Sequence, residues 1–274
     1  MIGRRAVLAA AACATAVRAE SLDARPTLDA FARLTGDIGG GTALRWHPGV
    51  INAVMPGEAP RPLVGFDGLE KEVWTASADG SFATAYFDIG YFKDLSAGAP
   101  LASWTNPVTG GMTTPMPFRS GRFAATLRPG ELDRTVDIRG DDLWFTSRPT
   151  VAFPSILKPD LYPEESAGPL HFFSVVRIDR GRLSEAIDIK IRSAALAWSY
   201  TLTTVWLPWM KMGQRPGAAV WTGVGGKYRS AAEVPPAFRD FLAREQPNYL
   251  DAGDPWSNVR NMWGDYAKAH PARR

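Results

Sequence analysis

The chain has 274 residues, of which 45% are hydrophobic and 11% aromatic, with 31 basic and 28 acidic side chains. This length and composition allow a sizeable buried core and are not typical of disordered proteins. The first nineteen residues hold three arginines and no acid, so the remaining 28 basic side chains balance the 28 acidic ones. The balance argues against a nucleic-acid-binding protein, which needs clustered positive charge.

Residues 1–19 have the pattern of a secretory signal peptide. Arg4-Arg5 precede an alanine-rich apolar run over residues 6–16, and Val17-Arg18-Ala19 offers small residues to signal peptidase. The arginine pair indicates a twin-arginine signal, with an ordinary Sec signal as the alternative. The apolar run is too short to cross a bilayer, so no stable membrane span is expected. We predict a periplasmic or secreted protein whose mature part, residues 20–274, is a single β-rich domain.

The only cysteine, Cys13, lies inside this signal. The mature chain is therefore predicted to have no disulfide and no cysteine-based metal or redox site. A lipidated cysteine is the alternative, because Cys13 follows three alanines, but the leucine usual three residues upstream is absent.

The mature chain begins with a predicted helix over residues 27–34, in which Leu28 and Phe31 share one face. Turn signals then recur about every 8–12 residues as far as residue 147, which is typical of an antiparallel meander. His47-Pro48-Gly49 is interpreted as one of these turns. The strands predicted in this region cover residues 43–46, 50–54, 63–66, 71–76, 81–89, 100–104, 122–127, 134–138 and 142–147.

A proline-rich stretch over residues 149–169 is predicted to be a loop, because proline cannot donate to a β-ladder. Three more strands are expected after it, and Gly223–Lys227 is expected to form a hairpin turn. Two helices close the chain, the first with Phe238 and Phe241 on one face. The predicted strands are 170–179, 187–207 and 217–223, and the predicted helices are 235–244 and 259–267.

These elements predict an all-β fold, with short helices near both ends. We expect a single large antiparallel barrel or strongly curved sheet, since closure removes exposed edges and leaves an interior for an apolar ligand. A two-sheet sandwich is the alternative.

No known nucleotide, zinc or hydrolase motif is present. The chain has no Walker loop, no strand-bound GxGxxG, no HExxH helix and no GxSxG elbow. No cofactor and no metal are therefore predicted.

His171 is the candidate catalytic residue, because it opens an apolar strand directly after the proline-rich loop. An imidazole there can act as a general acid or base, with Tyr162 of the loop as a proton partner. The alternative is a structural histidine bonded to loop backbone. His47 and His270 are interpreted as solvated surface residues.

The run from Trp206 to Gly213 is the candidate ligand-binding wall. Aromatic rings and flexible thioethers together make an apolar surface of adaptable shape, although core packing is the alternative. Lys211 is either an anion contact or a surface residue. The predicted ligand-binding residues are Trp206, Trp209, Met210, Lys211 and Met212.

Two tracts, residues 162–171 (YPEESAGPLH) and residues 207–217 (LPWMKMGQRPG), resemble domain of unknown function family 1838. The turn at residues 56–58 and the segment LVGFDG at 63–68 are also similar to that family. The resemblance covers about residues 27–268, although the NMW run at 261–263 departs from the family pattern. Members are mostly bacterial and uncharacterised, so the resemblance implies one common fold and no particular reaction.

Two functions follow from these observations. The first is a cofactor-free isomerase, lyase or hydratase that acts on a hydrophobic small molecule in an aromatic-lined cavity. The alternative is a non-catalytic binding or carrier protein for such a molecule. The sequence predicts no particular oligomeric state.

Overall fold

The computed structural model describes residues 24–251 and 261–272. The predicted signal peptide, Cys13 and the start of the last predicted helix lie outside the described residues. The helices are α1 (Ala24–Thr35), α2 (Leu183–Ala186), α3 (Pro236–Glu245) and α4 (Met262–Ala269). The strands are β1 (Thr42–Val54), β2 (Arg61–Ala76), β3 (Phe82–Lys93), β4 (Trp104–Thr105), β5 (Met112–Thr113), β6 (Phe118–Arg119), β7 (Phe123–Leu127), β8 (Thr135–Arg139), β9 (Asp142–Ser147), β10 (Thr150–Pro154), β11 (Leu170–Arg182), β12 (Ala197–Thr204) and β13 (Ala218–Tyr228).

One antiparallel sheet contains 11 of these 13 strands. Its order is β6-β3-β2-β1-β13-β12-β11-β9-β8, with β7 beside β3 and β10 beside β11, while β4 and β5 pair separately. The predicted large antiparallel sheet with few short helices is thereby confirmed.

The sheet curves strongly, as one contact between distant strands demonstrates. Glu70 of β2 and Arg177 of β11 are four strand spacings apart in the sheet order, or roughly 19 Å in a flat sheet. Their side chains nevertheless approach to 3.6 Å. The sheet must therefore bend so that these residues share a concave face.

The sheet does not close into a barrel, so that part of the prediction is wrong. Within the described residues, edge strand β8 pairs only with β9 and not with β6 or β7. Helix α1 supplies the missing cover on the concave side. Phe31 of α1 contacts Trp74 of β2 and Phe145 of β9, with ring centroids 6.0 and 5.2 Å apart. Apolar surface that a closing strand pair would bury is thus buried by a helix.

Several predicted turns are in fact strand interior. His47 and Pro48 lie within β1, and Asp67-Gly68, which separated the strands predicted over 63–66 and 71–76, lies within β2. Pro48 fits because β1 bonds continuously to β2 there, while the ladder to β13 skips His47 and Pro48. A missing proline N–H is tolerated on that skipped side. Gly223–Lys227, predicted as a hairpin turn, lies inside β13.

Two other predicted strands are shorter in the structure than the sequence indicated. The strand expected over 187–207 is reduced to β12, and residues 183–186 before it are helical. Of the strand expected over 100–104, only Trp104 belongs to a strand. The loop predicted over 149–169 is wrong for residues 150–154, because they form strand β10, which pairs with β11 alone among the described residues, so that proline is tolerated on its open side. Residues 155–169 contain no strand, and the predicted helices near residues 27–34 and 235–244 are confirmed.

The convex face of the sheet is covered by α3. Phe238 and Phe241 pack their rings on Tyr91 at 5.4 and 5.1 Å, and Phe238 also meets Trp46 at 4.9 Å. None of the helices within the described residues is long and apolar enough to cross a membrane.

Candidate functional site

Glycines on the concave face make room for large side chains that lie flat on the sheet. A Cβ on Gly68 would fall 2.3 Å from Cε1 of His47. A Cβ on Gly223 would fall 2.6 Å from Cε1 of Tyr200, and one on Gly49 would fall 3.0 Å from the Tyr200 hydroxyl. Only glycine permits this close approach of a ring to the backbone. The glycines of β1, β2 and β13 therefore fix where these two side chains lie.

His47 connects a carboxylate to a phenol. Its Nε2 lies 2.9 Å from Oδ1 of Asp88, and its Nδ1 lies 3.5 Å from the Tyr200 hydroxyl. A carboxylate only accepts, so Nε2 carries a proton, and in the neutral imidazole Nδ1 is then the acceptor that faces Tyr200. The second distance is long for a hydrogen bond, so the phenol is only weakly held. We call Asp88, His47 and Tyr200 the relay.

The phenol of Tyr200 stays protonated at neutral pH. Burial is the largest cause that raises its pKa, and the nearby carboxylates of Asp88 and Asp67 raise it further. His47 is also buried, with 4% of its surface exposed. The relay therefore offers a protonated phenol beside an imidazole nitrogen that can accept a proton.

Next to the relay lies a cluster of buried charges. Arg45 forms ion pairs with Glu70 and with Glu72, the latter at 2.7 Å. Arg177 lies 2.8 Å from Asp179 and 3.6 Å from Glu70. Burial is the main cause that lowers the pKa of Arg45, followed by repulsion from Arg177. Charges removed from water in this way are costly, and they are retained only when paired.

Trp198 joins the charge cluster to the relay. The guanidinium carbons of Arg177 and Arg45 lie 4.3 and 6.0 Å from its ring centroid. Its ring stacks on Tyr200 at 5.1 Å and meets His47 at 5.2 Å. The buried indole N–H has no hydrogen-bond partner among the described residues. The indole ring of Trp198 thus contacts both the relay and the charge cluster.

An open groove of about 690 Å³ lies on the opposite, convex face, because the side chains of Val50 and Lys93 alternate with those of the concave face, and it reaches Tyr200 only at two glycines. Tyr200 lines it, together with Gly49 and Gly223, beneath which the phenol lies. Lys93 also lines the groove and donates to Asp67 at 2.7 Å. The remaining lining residues are Pro48, Val50, Gly65, Asp94, Leu95, Ser96, Ala97, Gly98, Thr222 and Val224.

His171 lies elsewhere on the concave side, with 1% of its surface exposed. Its Nε2 is 2.8 Å from the hydroxyl of Ser155, and its buried Nδ1 has no partner in the described part of the chain. The rings of Phe153 and Trp263 flank it at 5.6 and 5.0 Å. Tyr162 is half-buried, and no hydrogen bond joins it to His171 among the described residues. Catalytic roles for both remain predictions.

Burial lowers the pKa of His171 to about 4, which predicts a specific loss of stability in acid. The unfolded histidine has a pKa of about 6.5, so it binds the proton first as the pH falls. Between pH 7 and 4.5 the wild type should lose about 2–3 kcal/mol through this group. Urea unfolding should therefore show the stability difference between wild type and His171→Gln shrinking by that amount. The same shrinkage in His270→Gln, where the histidine is exposed, would contradict the assignment.

The predicted ligand wall is buried among core side chains. Trp209 meets Phe92 at 4.8 Å and Trp104 at 5.2 Å, and the Trp206 indole donates to the carbonyl of Arg215 at 2.9 Å. Met210 and Met212 are also buried. These contacts are those of core packing, and ligand binding by these residues remains a prediction.

Lys211 is exposed and has a left-handed backbone conformation with φ of 51°. Its ammonium group lies 3.3 Å from a carboxylate oxygen of Glu164 and 3.9 Å from one of Glu165. These ion pairs favour a surface role that fixes the loop over the proline-rich segment.

Sequence reasoning missed the relay and the charge cluster. The interpretation of His47 as a solvated turn residue is wrong, because β1 continues through it and the sheet curves over it. A signal was present in the alternation of β2, where Glu70 and Glu72 occupy every second position of a buried strand. Charges at buried strand positions indicate a polar interior.

The curved antiparallel sheet and its buried charges define an all-β protein with a polar site on the concave face. A family model described as "Protein of unknown function (DUF1838)" matches residues 40–269. The match covers most of the chain, so the chain belongs to this family, and the resemblance seen in its two motifs is confirmed. No match was found among curated proteins.

Proposed function

We propose that this protein is an exported enzyme that moves a proton on a small, largely apolar molecule without a cofactor. Isomerases, lyases and hydratases carry out such steps. The observation that carries the proposal is that Tyr200 belongs both to the groove and to the relay. A molecule in the groove would lie across Gly49 and Gly223 from a phenol that is coupled through His47 to the half-buried carboxylate of Asp88.

The relay has the parts that proton transfer requires. Asp88 fixes the tautomer of His47, and His47 can take a proton from Tyr200 or return one. Tyr200 can then donate to a developing oxyanion on the substrate. A positioned acid–base group of this kind contributes about 10²–10⁴-fold in rate.

The groove fits a substrate with an apolar body and one polar group. Val50, Leu95 and Val224 give it apolar walls. Lys93, which is paired with Asp67, supplies a cation that could contact an oxygen of the substrate's polar group. The aromatic side chains behind the relay exclude water and strengthen the electrostatic interactions within it.

Deuterium exchange tests the proposal without a known product. The purified protein is incubated in D₂O with a panel of apolar ketones and unsaturated ketones, and exchange next to the carbonyl is followed by proton NMR. We expect accelerated exchange for at least one compound and a loss of about 10²–10⁴-fold in His47→Gln and Tyr200→Phe.

Tyr228→Phe is the matched control, because this phenol stacks on Trp46 at 6.3 Å and belongs to neither the groove nor the relay. It should retain full exchange. Equal exchange in all three variants, or no acceleration by the wild type, would reject proton transfer at this site.

A carrier protein for an apolar molecule is the second candidate. The groove is open to solvent, and the exposure of Leu95 and Val224 along it favours this function. Native mass spectrometry of protein from its own host would detect a retained ligand. Retention that is equal in wild type and His47→Gln, without exchange activity, would favour the carrier.

A further inference from the structure

We infer that Ser155 and His171 form a second reactive site, in which Ser155 is a nucleophile for esters with an apolar acyl group. The pair lies where β10 ends and the proline-rich loop begins. The 2.8 Å contact between the serine hydroxyl and Nε2 of His171 is the geometry of a nucleophile and its base. The relay plays no part in this site.

The surroundings of Ser155 fix its position and leave it reachable. Its backbone N–H donates to the carbonyl of Pro169 at 2.9 Å, which ties the start of the loop to β11. The residue is half-buried, whereas His171 is fully buried behind it. Ile156, the next residue, is 51% exposed and offers an apolar contact for an acyl chain, whereas Leu170 lies on the opposite face of β11 from His171.

The imidazole is held as a neutral base. The rings of Phe153 and Trp263 keep water away from it, and burial lowers its pKa to about 4. No carboxylate bonds to its Nδ1 within the described residues. Catalytic triads that lose their carboxylate function slow by about 10⁴-fold, so covalent labelling is a better readout here than turnover.

Ser155 also has a competing contact. Its hydroxyl lies 3.0 Å from the carbonyl of Leu157, to which it can donate instead of to His171. In the reactive arrangement the hydroxyl donates to Nε2, and the imidazole proton sits on the unpartnered Nδ1. A buried N–H without an acceptor lowers the population of that arrangement by about 10–100-fold. We therefore expect slow acylation.

The chemical step is acyl transfer. The Ser155 oxygen bonds to the carbonyl carbon of the ester while its proton moves to Nε2 of His171. The bond from that carbon to the alcohol oxygen breaks, and the alcohol leaves with the proton from His171. Water then hydrolyses the acyl-serine, and His171 takes and returns the proton again.

A decyl fluorophosphonate is the probe that tests this site. Its phosphorus bonds to the Ser155 oxygen, the P–F bond breaks and fluoride leaves, while the serine proton passes through His171 to solvent. Mass spectrometry of peptides should locate the adduct on Ser155. We expect no adduct there in Ser155→Ala and labelling at least about 100-fold slower in His171→Gln. Ser174→Ala, a serine on the same strand pair, should label normally.

The wild type provides a test that does not depend on a folded variant. Its labelling rate should rise as the pH increases through about 4, where His171 loses its proton, and then reach a plateau. An ethyl fluorophosphonate should label more slowly than the decyl compound. No adduct on Ser155, or an adduct whose rate is unchanged in folded His171→Gln and independent of pH, would overturn the inference.

Discussion

Replacing Arg45 by methionine is expected to lower the free energy of unfolding by about 3–5 kcal/mol. Arg45 is 3% exposed and forms ion pairs with Glu70 and Glu72. Without the guanidinium, Glu72 loses its only ion-pair partner among the described residues and Glu70 keeps the more distant Arg177 at 3.6 Å. An unpaired charge in a buried strand lowers the free energy of unfolding by far more than burial of the neutral methionine raises it.

A second substitution separates lost charge pairing from lost packing. In Arg45→Met with Glu72→Gln, the carboxylate left without its partner is neutralised, so part of the lost stability should return. The double variant should therefore be more stable than Arg45→Met alone, with a coupling energy of about 1–3 kcal/mol in a double-mutant cycle.

Arg139→Met is the control for this experiment. Arg139 is exposed and pairs with Asp137 at 2.7 Å on the surface. Exposed ion pairs contribute about 0–1 kcal/mol, so its removal should be nearly neutral in urea unfolding. A loss as small in Arg45→Met would mean that the charge cluster is solvated and that the concave face is not a low-dielectric site.

Trp209→Ala is expected to cost about 3–5 kcal/mol, because it removes a large buried ring and leaves a cavity. Trp209 is 1% exposed and packs between Phe92 and Trp104. The short 3₁₀ turn that carries it is fixed by Asn106, whose amide donates to the carbonyl of Met210 at 2.7 Å. The variant should unfold at clearly lower urea concentration than the wild type.

Trp144→Ala is the matched control, since that ring is only half-buried and lies beneath the partly exposed Arg180. This substitution should lower the free energy of unfolding by less than Trp209→Ala does.

The same proteins test the predicted ligand wall with the apolar dye N-phenylnaphthylamine. If Trp209 contacts a bound ligand, the folded Trp209→Ala variant should bind the dye more weakly than the wild type does. Affinity equal to that of the wild type would leave these residues as core only.

The class of fold follows from local features of the amino-acid sequence. Alternating apolar residues with frequent turn signals predicted an antiparallel sheet, because strand periodicity is a local property. Spacing of apolar residues likewise located the helices near residues 27–34 and 235–244, whereas the loop predicted from the prolines of 149–169 missed strand β10 at its start. The motifs at residues 162–171 and 207–217 also indicated the family, whose model matches residues 40–269.

Closure of the sheet, by contrast, depends on tertiary packing. Whether an edge strand pairs is set by what else covers the interior, and here Phe31 of α1 fills that place. Tertiary packing also decides the conformation of His47-Pro48-Gly49, whose residue types alone favour a turn. Pairing with Asp67 and neighbouring residues of β2 keeps it extended.

The relay required the curvature of the sheet. Asp88, His47 and Tyr200 belong to three strands whose sequence separation exceeds what any motif spans, and only their registers bring the side chains together. The sequence shows that glycine, histidine and tyrosine are present in these strands, but it does not show which of them are in contact. Their contact depends on long-range strand pairing and on the bend of the sheet, which arise from the packing of the whole chain.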